Sequence, residues 1–164
     1  MSITLNLGAT DLSTAYTKDY FKPGTQYFND AGGKFVWGVY SDGTANTTAA
    51  GGKICVPILS STNSAIFTSD ITDTDAQFQT EVGYAPARMA NKTRGWFGVG
   101  GRLKVKECST TTGLAKGTLF RTVATDSTIS SCTTRAISAG ITLEAFTVSA
   151  TSFKYVQLFS SGRP

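Results

Sequence analysis

The chain has 164 residues, enough for one domain with a self-sufficient core, and only 16% of them are charged against 40% hydrophobic. Lys and Arg (15) outnumber Asp and Glu (11), giving a net charge of +4 with no histidine. The missing histidine excludes Ser-His-Asp and Cys-His nucleophilic machinery, histidine acid–base catalysis and most zinc sites, and the many aromatics exclude a disordered chain.

The composition, rich in Gly, Ser and Thr, predicts an all-β protein. The first segment, "SITLNLG", alternates Ile3, Leu5 and Leu7 against Thr4 and Asn6 and reads as a short strand. It has no basic start followed by an apolar run, so no signal peptide is expected, and no apolar stretch is long enough for a membrane span. The remainder, up to the turn signal at Pro23–Gly24, carries Tyr16, Tyr20 and Phe21 without a periodic pattern. Residues 1–22 are therefore expected to form an extended N-terminal arm and residues 23–164 a single β-domain.

From Thr25 onward one local pattern recurs. A glycine pair and a basic residue precede an apolar run in "GGKFVWGVY" (32–40), "GGKICVPIL" (51–59) and "GGRLKVKEC" (100–108). Glycine supplies the positive φ that tight turns need, and β-branched and aromatic residues favour strands, so three strands are expected behind similar turns. "GTQYF" (24–28) and "GTLF" (117–120) read as a second kind of strand opening. Between residues 60 and 93 the pattern is weaker. A short helix is expected near Asp73–Thr80, and Pro86 forbids a central strand position.

In "RLKVKE", strict alternation sets Arg102, Lys104 and Lys106 on one face and Leu103 and Val105 on the other. Such a strip suits an acidic partner surface, or protects an exposed strand from edge-to-edge pairing. No row of stacking aromatics shares that face, so nucleic acid is not expected as a partner. Further on, "ITLEAF" is expected to put Ile141, Leu143 and Ala145 on one face and Thr142 and Glu144 on the other. "KYVQLF" should oppose Val156 and Leu158 to Tyr155, Gln157 and Phe159.

No catalytic constellation emerges. The cluster "DITDTD" (70–75) lacks the alternating oxygen ligands and the sixth-position glycine of a calcium loop. No carboxylate pair suggests a glycosidase. The glycines of "GWFGVGG" (95–101) sit inside a strand-like run with no helix behind them, so they are no phosphate loop. Cys55, Cys108 and Cys132 are widely spaced and odd in number, which points to reduced thiols rather than a disulfide framework. No catalytic residue, metal or cofactor is expected, and the chain is not expected to be an enzyme.

The run "RGWFGVGG", the alternating strand after it, "GLAKGTLF", "RAISAGITLEAF" and the closing "FKYVQLF" together resemble the small capsid decoration (cement) proteins of tailed bacteriophages. The resemblance covers about residues 82–160, with a weaker echo in "GTQYFNDAGGKFVWGVY". It implies a compact antiparallel sandwich or barrel, β-tulip-like, that assembles as a homotrimer on the virion. Its partner would be the major capsid protein, on the outer surface of the mature shell at capsomer junctions, where binding resists internal DNA pressure. The expected capsid contacts are Ile3, Leu5, Leu7, Tyr16, Tyr20 and Phe21 of the arm, whose side chains are anchor types, with Arg102, Lys104 and Lys106. The alternative is a tail, fibre or head-surface attachment protein that binds a host surface glycan.

Overall fold

The residues from Arg94 to Lys106 form a single long strand. In the computed structural model this strand, β6 (Arg94–Lys106, 13 residues), is the spine of the molecule. The structure describes residues 10–41, 54–57, 65–68, 83–85, 88–106, 113–123, 128–133, 138–147 and 153–159. The strand expected over residues 2–8, the helix near Asp73–Thr80, Pro86 and Cys108 lie outside them.

The protein is all-β: the described residues contain no helix and 53% of them lie in strands. Before β6 come β1 (Gln26–Phe28), β2 (Gly33–Tyr40), β3 (Ile54–Pro57), β4 (Ile66–Thr68) and β5 (Gly83–Tyr84). After it come β7 (Leu119–Val123), β8 (Thr128–Ser131), β9 (Gly140–Thr142) and β10 (Phe153–Leu158). Hydrogen bonds link them in the order β1-β2-β4-β3-β5-β6-β10-β9-β7-β8, and β2 and β6 also pair directly. Every pairing is antiparallel except β2–β4. The strands belong to one hydrogen-bonded sheet with β1 and β8 at its ends. Three short strands, β4, β3 and β5, run from β2 back to β6.

The glycine pairs behave unequally. Gly32, in the β1–β2 turn, has φ 83 and donates its amide to the Asn29 carbonyl at 3.0 Å, so the first pair opens a strand through a turn as expected. Gly100–Gly101 does not. β6 runs straight through it, with a register shift against β2 where Phe35 faces Gly98 and Lys34 faces Gly100, leaving Val99 as the extra residue of a β-bulge. Gly101 has φ 77, and a Cβ there would overlap the carbonyl oxygen of Gly32. Gly101 is glycine because two backbones touch, not because the chain reverses.

Two cores result, one on each face of the β2–β6 pair. Trp37 and Trp96 are direct cross-strand partners, and their face continues through Phe35, Leu103 and Val105 to Val156, Leu158, Phe120 and Ile129. On the opposite face Tyr40, Phe97, Phe67, Cys55, Ala85 and Met89 form a separate cluster under the short strands. There Phe67 and Phe97 stack with centroids 4.1 Å apart. Gly38 fits only as glycine, since a Cβ would lie 2.7 Å from the Ala65 carbonyl and 2.8 Å from the Phe67 ring.

Residues 10–22 are not an extended arm. They are a strap laid across the tryptophan face, and this corrects the expectation for the second half of the segment. Tyr16 exchanges backbone hydrogen bonds of 2.8 Å with Arg94 in both directions, so the strap takes an edge of β6. Phe21 packs within 5.4 Å of Trp37 and 5.1 Å of Trp96, centroid to centroid, and Tyr16 within 5.7 Å of Trp37. A 2.6 Å ion pair between Arg94 and Asp19 fastens the outside of the strap. Its first turn is tied by Asp11, whose carboxylate accepts the Ser13 amide at 2.7 Å and the Ser13 and Thr14 hydroxyls at 2.8 Å.

In β9 Ile141 and Thr142 take opposite faces, and it is Thr142 that is buried while Ile141 is half-buried. The Thr142 hydroxyl donates to the Ala115 carbonyl at 2.7 Å and accepts the Thr118 amide at 3.0 Å, so burying it leaves no unmet polar group. Regular pairing of the "ITLEAF" run ends at Thr142, and Phe146 returns to the core through an isolated bridge with Leu114. In β10 the expected facing is found, with Val156 and Leu158 buried and Tyr155, Gln157 and Phe159 half-buried.

Candidate functional site

The surface that the fold leaves open lies on the C-terminal half of β6. Toward its N-terminal end, the face of β6 carrying Phe97 is roofed by β4, β3 and β5. Past the bulge the same sheet face carries Arg102 and Lys104, both exposed, while Leu103 and Val105 point into the core. The alternation read in "RLKVKE" therefore holds at these four positions. Lys106 closes the strand in register with Phe153.

Antiparallel pairing then adds residues that the sequence spacing does not connect. Tyr155 lies opposite Lys104 and Gln157 opposite Arg102. The Arg102 guanidinium carbon stands 4.4 Å from the centroid of the Tyr155 ring, and the Lys104 ammonium 5.7 Å from it. One ring thus holds two cations, an arrangement in which the aromatic quadrupole offsets part of their mutual repulsion. One aromatic from the neighbouring strand thus shares the basic face, and two cations lie against its ring.

On the other side of β6, Lys34 pairs with Gly100 and Phe28 with Lys34. Phe28 is 63% exposed, the most exposed large hydrophobic residue among those described. A shallow groove lies between these residues and β10, bordered by Phe28, Lys34, Gln157 and Phe159. Along the face, Lys34, Arg102 and Lys104 make no ion pair with a described residue. Of the described carboxylates near them, Glu144 is engaged by the Tyr155 amide at 2.8 Å and Asp30 sits in the β1–β2 turn.

The remaining expected contact residues are placed differently. Ile3, Leu5 and Leu7 lie outside the described residues. Tyr16 and Phe21 are half-buried against the two tryptophans and are parts of the fold. Tyr20, at 50% exposure, keeps one side free while its ring meets Tyr16 edge-on at 5.1 Å. Among the described residues no three His, Cys, Asp or Glu side chains gather as a metal site would need, and no helix is long and apolar enough to cross a membrane. Cys55 is buried and Cys132 half-buried. Hydrogen bonds from Thr14 and Ser13 hold the Asp11 carboxyl below the usual carboxylate range.

What this arrangement can do is bind. It offers cations held in place on a sheet and an exposed aromatic beside them. Comparison with protein-family models, with curated proteins and with solved structures finds no match to this chain.

Proposed function

We propose that this protein is a bacteriophage capsid decoration (cement) protein. It binds the outer surface of the mature shell at capsomer junctions, as a homotrimer on the virion, and stabilises the shell against internal DNA pressure. The observation that carries the reading is a coincidence of motif and surface. The runs that resemble decoration proteins supply β6, β7, β9 and β10, and two of these, β6 and β10, build the open cationic face.

The physical mechanism follows from linkage. A protein that binds only the expanded arrangement of capsid subunits stabilises that arrangement by the free energy of binding. One copy that touches several subunits gains from effective concentration, because each contact makes the next one intramolecular. The rigid sheet contributes by having little conformational entropy left to lose when it docks.

The exposed Phe28 beside Lys34 and Gln157 favours a second reading, an attachment protein of tail, fibre or head surface that binds a host glycan. Quantitative mass spectrometry of purified particles separates the two. Hundreds of copies in fixed ratio to the major capsid protein support decoration, a few to a few tens support attachment, and absence from particles refutes both.

A further inference from the structure

We propose that the open face of β6 and β10 is a receptor for an acidic protein segment, whose carboxylates meet Lys34, Arg102 and Lys104 and whose apolar side chain rests on Phe28. The decoration reading enters only in naming the partner that carries this segment. The binding chemistry stands on the face itself.

Charge is the first argument. Three cations are carried by adjacent, paired strands without an ion-pair partner among the described residues, and a carboxylate-bearing segment satisfies them. Preorganisation is the second. Tyr155 holds the Arg102 guanidinium 4.4 Å from its ring centroid, so less side-chain freedom remains to be lost when a carboxylate takes both of its forward N–H groups. Apolar anchoring is the third. At 63% exposure Phe28 stands at the lip of a groove beside Lys34, and an aromatic residue next to cations at a rim is the composition of a protein interface core meeting its edge.

The same geometry argues against single-stranded nucleic acid, which needs a row of free rings on which successive bases stack: two cations crowd the Tyr155 ring, and a single exposed Phe28 is no such row.

The test uses the full-length, isotopically labelled protein and three probes in low salt: an octaglutamate peptide, an octaglutamate peptide with one central phenylalanine, and oligothymidylate of matching charge. The expected result is a set of amide shifts confined to β1, β2, β6 and β10, with the phenylalanine peptide tightest. Arg102→Glu with Lys104→Glu should weaken peptide binding by about tenfold and leave the melting temperature unchanged, since both residues are exposed. Lys18→Glu with Lys116→Glu, also exposed, makes the same change in net charge elsewhere and should change binding less than about twofold. Equal weakening by the two pairs, shifts outside this face, or tightest binding to oligothymidylate would each overturn the proposal. On particles the two readings separate. If the Arg102→Glu, Lys104→Glu protein still fills the shell, the receptor face is wrong and decoration survives. If wild-type protein binds the peptides yet is absent from virions, decoration is wrong and the receptor face survives.

Discussion

The two halves of β6 are one continuous strand in two different surroundings. From Arg94 to Gly98 both faces are covered, one by the strap and the tryptophans, the other by the short strands over Phe97. From Arg102 to Lys106 one face still packs against Phe120, Val156 and Leu158, while the other carries exposed Arg102 and Lys104. The bulge at Val99 and the close contact at Gly101 lie at the change. A sheet buried on both faces supplies rigidity and has no surface to offer. A sheet buried on one face supplies a surface and borrows its rigidity from the neighbour. This molecule keeps the two tasks on the same strand, separated by a glycine pair.

The largest effect is expected where the halves join. Gly101→Ala must place a Cβ where the Gly32 carbonyl oxygen lies, in a residue held at φ 77. Backbone cannot step aside as a flexible side chain does, so a loss of about 4 kcal/mol or more is expected in denaturant unfolding. If the strand halves are independent, the emission of Trp96 will survive while the C-terminal half unfolds. A single transition means that the junction holds both together.

The strap gives the next largest effect. Tyr16→Ala with Phe21→Ala removes two half-buried rings from the faces of Trp37 and Trp96, and a combined loss of about 3 kcal/mol is expected. This reverses the expectation for an arm, whose deletion would leave the β-core folded. Unchanged stability of the double variant would return residues 10–22 to the role of a detachable arm.

On the one-sided half, Thr142→Val tests the facing of β9. The methyl replaces a hydroxyl that serves the Ala115 carbonyl and the Thr118 amide in the buried layer, so a loss of about 1–3 kcal/mol is expected from unfolding curves. Valine on an outer face of a strand would be neutral or slightly stabilising. The sign of the change therefore decides which way the strand faces.

How far the sequence carried these features depended on how local their causes are. β2 was readable because a glycine pair leads into the apolar, aromatic run "GKFVWGVY", and β10 because "KYVQL" alternates, so that a one-residue slip would expose a core side chain. Arg102 and Lys104 were readable for the same reason. Thr142 was not, because alternation cannot say which parity is inside. Here Gly140 fixes it: a Cβ at Gly140 would meet the Gln157 carbonyl at 2.5 Å and the Phe120 ring at 2.9 Å, so positions 140 and 142 are the ones pressed into the buried layer. The strap was unreadable because Tyr16 and Phe21 are placed by a backbone bridge to Arg94, a residue remote in sequence, and not by any period of their own. The receptor face was half readable. Its cations lie in one strand, but Tyr155, Lys34 and Phe28 arrive through pairings on either side of β6.

The smallest effect should come from acid, and it probes the covered half at its weakest fastening. Asp11 has a folded-state pKa lowered from 3.8, first by the Thr14 hydroxyl and then by the Ser13 hydroxyl. A carboxyl with a depressed folded pKa binds its proton more weakly when folded than when unfolded, so its hydrogen bonds stabilise the fold fully above the unfolded value. The contribution disappears as pH falls from about 4 through the lower folded value. Asp11→Asn removes the titration while keeping an oxygen at the Oδ1 position, which accepts the two hydrogen bonds from Ser13 and gives up the one from Thr14. The melting temperature of the variant should therefore lie slightly below that of the wild type near neutral pH, and the gap should close as the pH is lowered past the carboxylate range. A gap that stays constant would mean that the carboxylate charge contributes nothing and that the strap's first turn is held by shape alone. If the gap closes while Arg102→Glu, Lys104→Glu protein shows the wild-type acid profile, the covered and open halves of β6 respond to different chemistry, one to local hydrogen bonds that anchor a strap and the other to the charge of a partner.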